Sequence, residues 1–145
     1  VPKENGSWPA IWLLSESINE DGWPKCGEID IMEHINKENI VYGTVHSDQY
    51  NHMKENQLGG KIEIENLDKD FHTFGIEWTE NSIIWFLDDN IYYQINKGDY
   101  LEGEWPYDQE YFLIMNLAVG GFWPGNPDED FKTVGFEIDW IRVYE

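Results

Sequence analysis

Basic residues are scarce in this chain. Nine Lys and Arg stand against 29 Asp and Glu in 145 residues, a formal net charge of −20. Binding phosphate takes clustered Lys and Arg, so nucleic acid is excluded as a partner. Anionic membranes and sulfated or uronate-rich polysaccharides are disfavoured on the same ground. Cysteine is almost absent: Cys26 stands alone and can close no disulfide within the chain. No apolar run is long enough to cross a bilayer, and no signal-peptide pattern is present, as expected of a mature secreted domain. No stretch of ten or more residues holds a helical apolar period, and there is no internal repeat. The length fits one domain, 1–145.

Aromatic residues, by contrast, are abundant. They make up 16% of the chain, with eight Trp and eight Tyr, more than a small core needs. Indole faces in an acidic chain suit stacking on sugar rings, which offer an apolar C–H face and polar edges. Short β-favouring runs carry many of these aromatics. Strands are expected at Trp8–Leu14, Glu28–Ile35, Ile40–His46, Lys61–Glu65, Phe71–Trp78, Ile83–Leu87, Ile91–Ile95, Tyr111–Val119 and Thr133–Tyr144. Turn residues separate them, as at Asp21-Gly22 and Asp88-Asp89-Asn90. Eight or nine short strands without helices argue an all-β sandwich.

The most informative run is Gly27-Glu28-Ile29-Asp30-Ile31-Met32-Glu33-His34. Side chains of a strand alternate faces, so Glu28 and Asp30 share one and Ile29 and Ile31 the other. Glu33 breaks that parity. One extra residue at Met32, a β-bulge, restores it, and bulges re-aim side chains beside active sites. Glu28, Asp30 and Glu33 then form a row on one face. Two carboxyl groups across a scissile bond are what glycoside hydrolysis requires. Like charges so close cannot all ionise easily, so one should keep its proton and serve as acid. By pattern alone, the row reads equally as three solvated carboxylates on an exposed face.

Several segments together resemble glycoside hydrolase family 16. They are Gly6-Ser7-Trp8-Pro9-Ala10-Ile11-Trp12-Leu13-Leu14, Trp23-Pro24, the carboxylate run itself, and Gly43-Thr44-Val45-His46. Phe71-His72-Thr73-Phe74-Gly75-Ile76-Glu77-Trp78, Asn116-Leu117-Ala118-Val119-Gly120-Gly121 with Trp123-Pro124-Gly125, and Asp139-Trp140-Ile141-Arg142-Val143-Tyr144 complete the set. The match is closest to the laminarinase (endo-β-1,3-glucanase) branch and runs in the family's order.

The resemblance implies a concanavalin-like β-jelly-roll of two antiparallel sheets with a cleft across the concave one. It implies a retaining hydrolase in which Glu28 is the nucleophile, Glu33 the general acid/base and Asp30 the residue that tunes the nucleophile's protonation. His46 would face the same cleft. Trp12 and Trp23 look like sugar platforms, with Trp8 and Trp123 as further ones, and Asn116 could bind a sugar hydroxyl. No cofactor is required for the chemistry. The family often carries a structural calcium, and Asp139 matches a position that supplies a carboxylate. The expected partner is a neutral polysaccharide or oligosaccharide outside the cell.

One departure stands out. The chain is expected to cover roughly the C-terminal two-thirds of the family's domain, with the N-terminal strands missing or supplied by a second chain. A non-catalytic glucan-binding module on the same sandwich is the rival from another class. Mixed-linkage glucan and agarose are rival substrates.

Overall fold

The computed structural model describes residues 1–144. Its strands, in chain order, are β1 (Ser7–Ser15), β2 (Glu28–Glu33), β3 (Ile40–His46), β4 (Leu58–Glu63), β5 (Phe74–Trp78), β6 (Ser82–Leu87), β7 (Asn90–Asn96) and β8 (Tyr111–Val119). Two antiparallel sheets result, one of five strands in the order β4-β3-β2-β1-β8 and one a β5-β6-β7 meander. The sandwich and the meander agree with expectation. β2, the carboxylate strand, lies at the centre of the larger sheet, where both its edges are paired.

Alternation decides which face of each strand is inside. Ile29 and Val45 from the larger sheet pack with Ile83, Trp85 and Ile95 from the smaller one, joined by Tyr100, Trp105 and Tyr107 of the connection before β8. A second cluster, Met32, Val41 and Leu67, continues the core past the bulge, with Ile11, Ile62 and Phe136 against it. Fully burying side chains of this size stabilises by about 1.5–3 kcal/mol each. The sheets approach closely at Gly60, where a Cβ would sit 2.5 Å from the Cβ of Tyr93.

Some boundaries differ from expectation. β4 begins at Leu58, because Gly59 and Gly60 pair with Thr44 and Gly43 of β3 and extend the ladder backwards. β5 begins only at Phe74, leaving Phe71 68% exposed. The expected closing strand, Thr133–Tyr144, makes no ladder among the described residues. Alternating residues become a strand only when a neighbour takes their backbone hydrogen bonds. Here Phe136 alone packs on the core, while Ile138, Trp140, Ile141 and Val143 stay exposed. The expected loop 15–26 carries one turn of helix, α1 (Ile18–Asp21). A single 3₁₀ turn, His52–Lys54, follows β3, with the Asn51 side chain accepting from the Lys54 amide.

Candidate active site

The site begins with a miscount between strands. Across to β1, Asp30 faces Trp12 and Met32 faces Ile11, so Ile31 has no partner. Across to β3, Asp30 faces Thr44 and Glu33 faces Tyr42, so Ile31 and Met32 together oppose Gly43. The unpaired residue is therefore Ile31, one position before the Met32 expected from parity. Met32 is fully buried, packed with Val41 and Leu67, and that packing holds it in register. The consequence for Glu33 is as expected: it pairs with Ala10 and Tyr42 on the face that carries Glu28 and Asp30.

That face brings most of the expected residues together. Glu28, Asp30 and Glu33 line one pocket of about 240 Å³ with Trp8, Trp12 and Asn116. Each indole is oriented by its own N–H. Trp8 Nε1 donates to Glu33 Oε1 at 2.9 Å, Trp23 Nε1 to Glu28 Oε2 at 3.0 Å, and Trp12 Nε1 to Asn116 Oδ1 at 2.8 Å. Asn116 is thus engaged by an indole. Opposite Glu28 stands His46, with Nε2 3.7 Å from Glu28 Oε1 and 3.3 Å from Asp30 Oδ2. Trp23 and His46 lie 5.8 Å apart, ring centre to ring centre. Trp123 packs edge-on to Trp8 at 5.5 Å and to Tyr42 at 5.0 Å, the two aromatic neighbours of Glu33.

Burial governs the electrostatics. Asp30 is 3% exposed, and desolvation pushes its carboxyl up to about 8. Glu28 is pushed to about 8 by desolvation and then by Asp30, against the pull of His46 and the Trp23 N–H. Glu33 rises to about 8 for the same first two reasons, against Trp8 and then His46. His46 itself is lowered by burial, which opposes its charged form, while Glu28 and Glu33 pull it back up. The three carboxyls titrate as a set. His46 comes within ion-pair distance of Glu28 and Asp30 but not of Glu33, so the two glutamates sit in different surroundings. Two carboxyl groups of one type, in different surroundings on one face, are the raw material that two-step glycoside chemistry divides into acid and nucleophile.

Glu28, Asp30 and His46 each offer an atom within 4.8 Å of the others, the one such group among the described residues. Asp139 lies elsewhere, exposed at a depression of about 580 Å³ that Asp68, Asp70 and Phe71 also line. Calcium takes six to eight oxygens. Among the described residues, Asp139 is not one of three carboxyl, thiol or imidazole groups gathered closely enough to share an ion.

Three further neighbours carried no usable sequence signal, and a fourth, Tyr42, carried only a parity signal. His52 stacks on Trp23 at 4.8 Å and lies 5.3 Å from His46, and Phe122, 86% exposed, reaches His52 at 6.2 Å. They sit in polar or glycine-rich loops whose paths no periodicity reveals. Tyr42 shares the face of Glu33 by strand parity, which was readable once the bulge was placed. Trp85 reaches the bulge from the other sheet, 55 positions away, donating to the Asp30 carbonyl at 2.9 Å. His72 lies away from the Glu28–Glu33 row and bonds Asp88 at 3.1 Å. His34 is fully buried, its ring nitrogens on the carbonyls of Ile40 and Asn36.

The sequence profile of glycosyl hydrolases family 16 matches residues 1–142. The chain belongs to that family. A beta-glucanase of Rhodothermus marinus is 42% identical over 154 residues, covering 99% of this chain and 54% of that protein. A glucan endo-1,3-beta-glucosidase of Cryptopygus antarcticus is 34% identical over 158 residues, covering 99% and 58%. The laminarinase catalytic domain of Thermotoga maritima superposes with a TM-score of 0.84 at 41% identity, over 92% of this chain and 55% of that one. The chain thus spans about half the length of these family 16 relatives.

Proposed function

We propose that this chain carries the catalytic centre of a retaining endo-β-1,3-glucanase that acts on laminarin-type glucan outside the cell. One observation carries the reading: Glu28 and Glu33 line a single pocket, each gripped by an indole N–H, with buried Asp30 between them and His46 on the Glu28 side. Glu33 gives its proton to the glycosidic oxygen as the C1–O bond breaks. The Glu28 carboxylate bonds to C1 and forms a glycosyl ester. Water then attacks C1, Glu33 takes its proton, and Glu28 leaves as carboxylate. The sequence draws on no cofactor.

Trp12 and Trp23 serve as sugar platforms, with Trp8 and Trp123 closing the Glu33 end. Identity to laminarinases and beta-glucanases, together with a surface poor in Lys and Arg, supports a neutral glucan as substrate. Apolar residues left open on β8, Met115 at 41% and Val119 at 52% exposure, are a face that further strands, from this protein or a second chain, would cover.

Product analysis on laminarin, lichenan and agarose in parallel tests the reading. Laminarin should yield reducing oligosaccharides with the β-anomer formed first, and Glu28→Gln should bind laminarin while releasing none. A wild-type protein that binds laminarin and releases nothing over long incubation is a glucan-binding module instead. Preferential cleavage of lichenan or agarose would move the substrate within the family.

A further inference from the structure

Trp85 belongs to β6, on the sheet opposite the carboxylates, and is fully buried. Its ring fills core space against Ile29, Val45 and Tyr93, which a phenylalanine would also do. Its N–H does something more specific. It donates at 2.9 Å to the main-chain carbonyl of Asp30, the last residue before the register shifts on both sides of β2. The approach is possible only because position 43 is glycine. A Cβ on Gly43 would stand 2.4 Å from Trp85 Cδ1 and 2.7 Å from Nε1. Gly43 is also the residue that Ile31 and Met32 jointly oppose. Donor, space and bulge thus coincide at one point.

A strand with one extra residue has an obvious competitor, the regular strand. Moving the register by one residue sends every later side chain to the other face. Glu33 is the first functional residue after the bulge, so it would lose most.

We propose that Trp85 is a positioning residue for the acid/base: its N–H, admitted by Gly43, pins the Asp30 carbonyl where β2 changes parity and so fixes the bulge that turns Glu33 onto the cleft face. The inference rests on the hydrolase reading for its consequence in catalysis, though not for the pinning itself.

The test compares wild type with Trp85→Phe, which keeps an aromatic ring and removes the donor, and with Ile95→Val, a substitution in the same core cluster that touches no bulge contact. Laminarin kinetics and amide hydrogen exchange are measured on each. In Trp85→Phe, kcat should fall on the order of 10- to 100-fold with KM within about twofold, the signature of misplaced chemistry. Exchange at Ile31, Met32 and Glu33 should accelerate more than at Val41 or Val45. Ile95→Val should keep its kcat. Gly43→Ala, whose Cβ would also meet the Tyr92 hydroxyl at 2.6 Å, should lower kcat and speed exchange at 31–33 as well.

Wild-type kcat and wild-type exchange at 31–33 in Trp85→Phe overturn the proposal. So does a kcat loss in Ile95→Val equal to that of Trp85→Phe. If wild type cleaves no glucan, the hydrolase reading falls, and the exchange measurement still decides whether Trp85 pins the bulge.

Discussion

Replacing Asp30 by asparagine should make the protein more stable at neutral and alkaline pH. Asp30 is 3% exposed, its Oδ2 makes no hydrogen bond although His46 Nε2 lies 3.3 Å away, and burial raises its carboxyl from 3.8 to about 8. A carboxyl raised in this way holds its proton in the native state over a range where the unfolded chain has released it. Native stability is therefore fully present below about pH 4 and is lost as pH climbs through about 8. At about 1.36 kcal/mol per pH unit, a rise of roughly four units sets a ceiling near 5–6 kcal/mol. Glu28 and Glu33 share the same protons and their like-charge repulsion, so the part that Asp30→Asn removes is on the order of 1–3 kcal/mol. For a domain of this size that is a gain of about 3–8 °C in Tm. Melting curves from pH 4 to pH 9, by circular dichroism or calorimetry, read it directly. The variant should melt above wild type at pH 8, the gap should close towards pH 4, and hydrolysis should fall because the nucleophile loses its neighbour. Parallel Tm profiles for the two proteins, or a less stable variant at pH 8, would refute the account of Asp30 as a buried, electrostatically costly group.

The two indole N–H bonds should govern opposite limbs of the pH–rate profile. The Trp8 bond lowers Glu33 and the Trp23 bond lowers Glu28. Trp8→Phe should therefore move the alkaline limb, where the acid is lost, to higher pH. Trp23→Phe should move the acidic limb, where the nucleophile gains its proton, to higher pH as well. An exchange of limbs between the two variants would reverse the assignment of acid and nucleophile, and movement of the same limb in both would dissolve it. On β8, Met115→Lys with Val119→Lys should reduce concentration-dependent self-association in sedimentation velocity, since both side chains are open apolar surface on an edge strand. Unchanged sedimentation would mean that this face does not drive association.

What the sequence made legible follows from what is local. Alternation is local, and it placed Glu28 with Asp30 on one face, where both line the same pocket. The parity of Glu33 is local too, so a bulge could be inferred from six residues. Its position could not. Whether Ile31 or Met32 goes unpaired depends on which one the core wants, and the core at that point is Val41 and Leu67, nine and 35 positions further on. The closing segment failed for a related reason. Its alternation is good, but a ladder needs a second strand, and none among the described residues takes that role. His52 and Phe122 were illegible because loops bring them to the site. Trp85 was illegible because its relevant partner is a backbone carbonyl, which has no residue identity to recognise.

The bulge also explains how one strand can serve two opposed demands. Ile29 and Met32 are fully buried beneath the sheet, while Glu28, Asp30 and Glu33 crowd above it. Apolar burial on the inner side offsets the electrostatic cost on the outer side, and the same backbone carries both. A regular strand could not do this with three carboxyls at this spacing, because Glu33 would enter the core and Met32 would leave it. The stagger between Glu28 and Glu33 is thus set by inner packing as much as by the cleft. Enlarging or shrinking Met32 should therefore act at a distance. Met32→Leu, nearly equal in volume, should cost less than about 1.5 kcal/mol and keep kcat. Met32→Ala should cost roughly 2–5 kcal/mol and lower kcat even well below its melting temperature, because the residue that holds the bulge in register is gone. A Met32→Ala enzyme that is destabilised yet turns over at the wild-type rate would show that the carboxyl row is held from the cleft side alone.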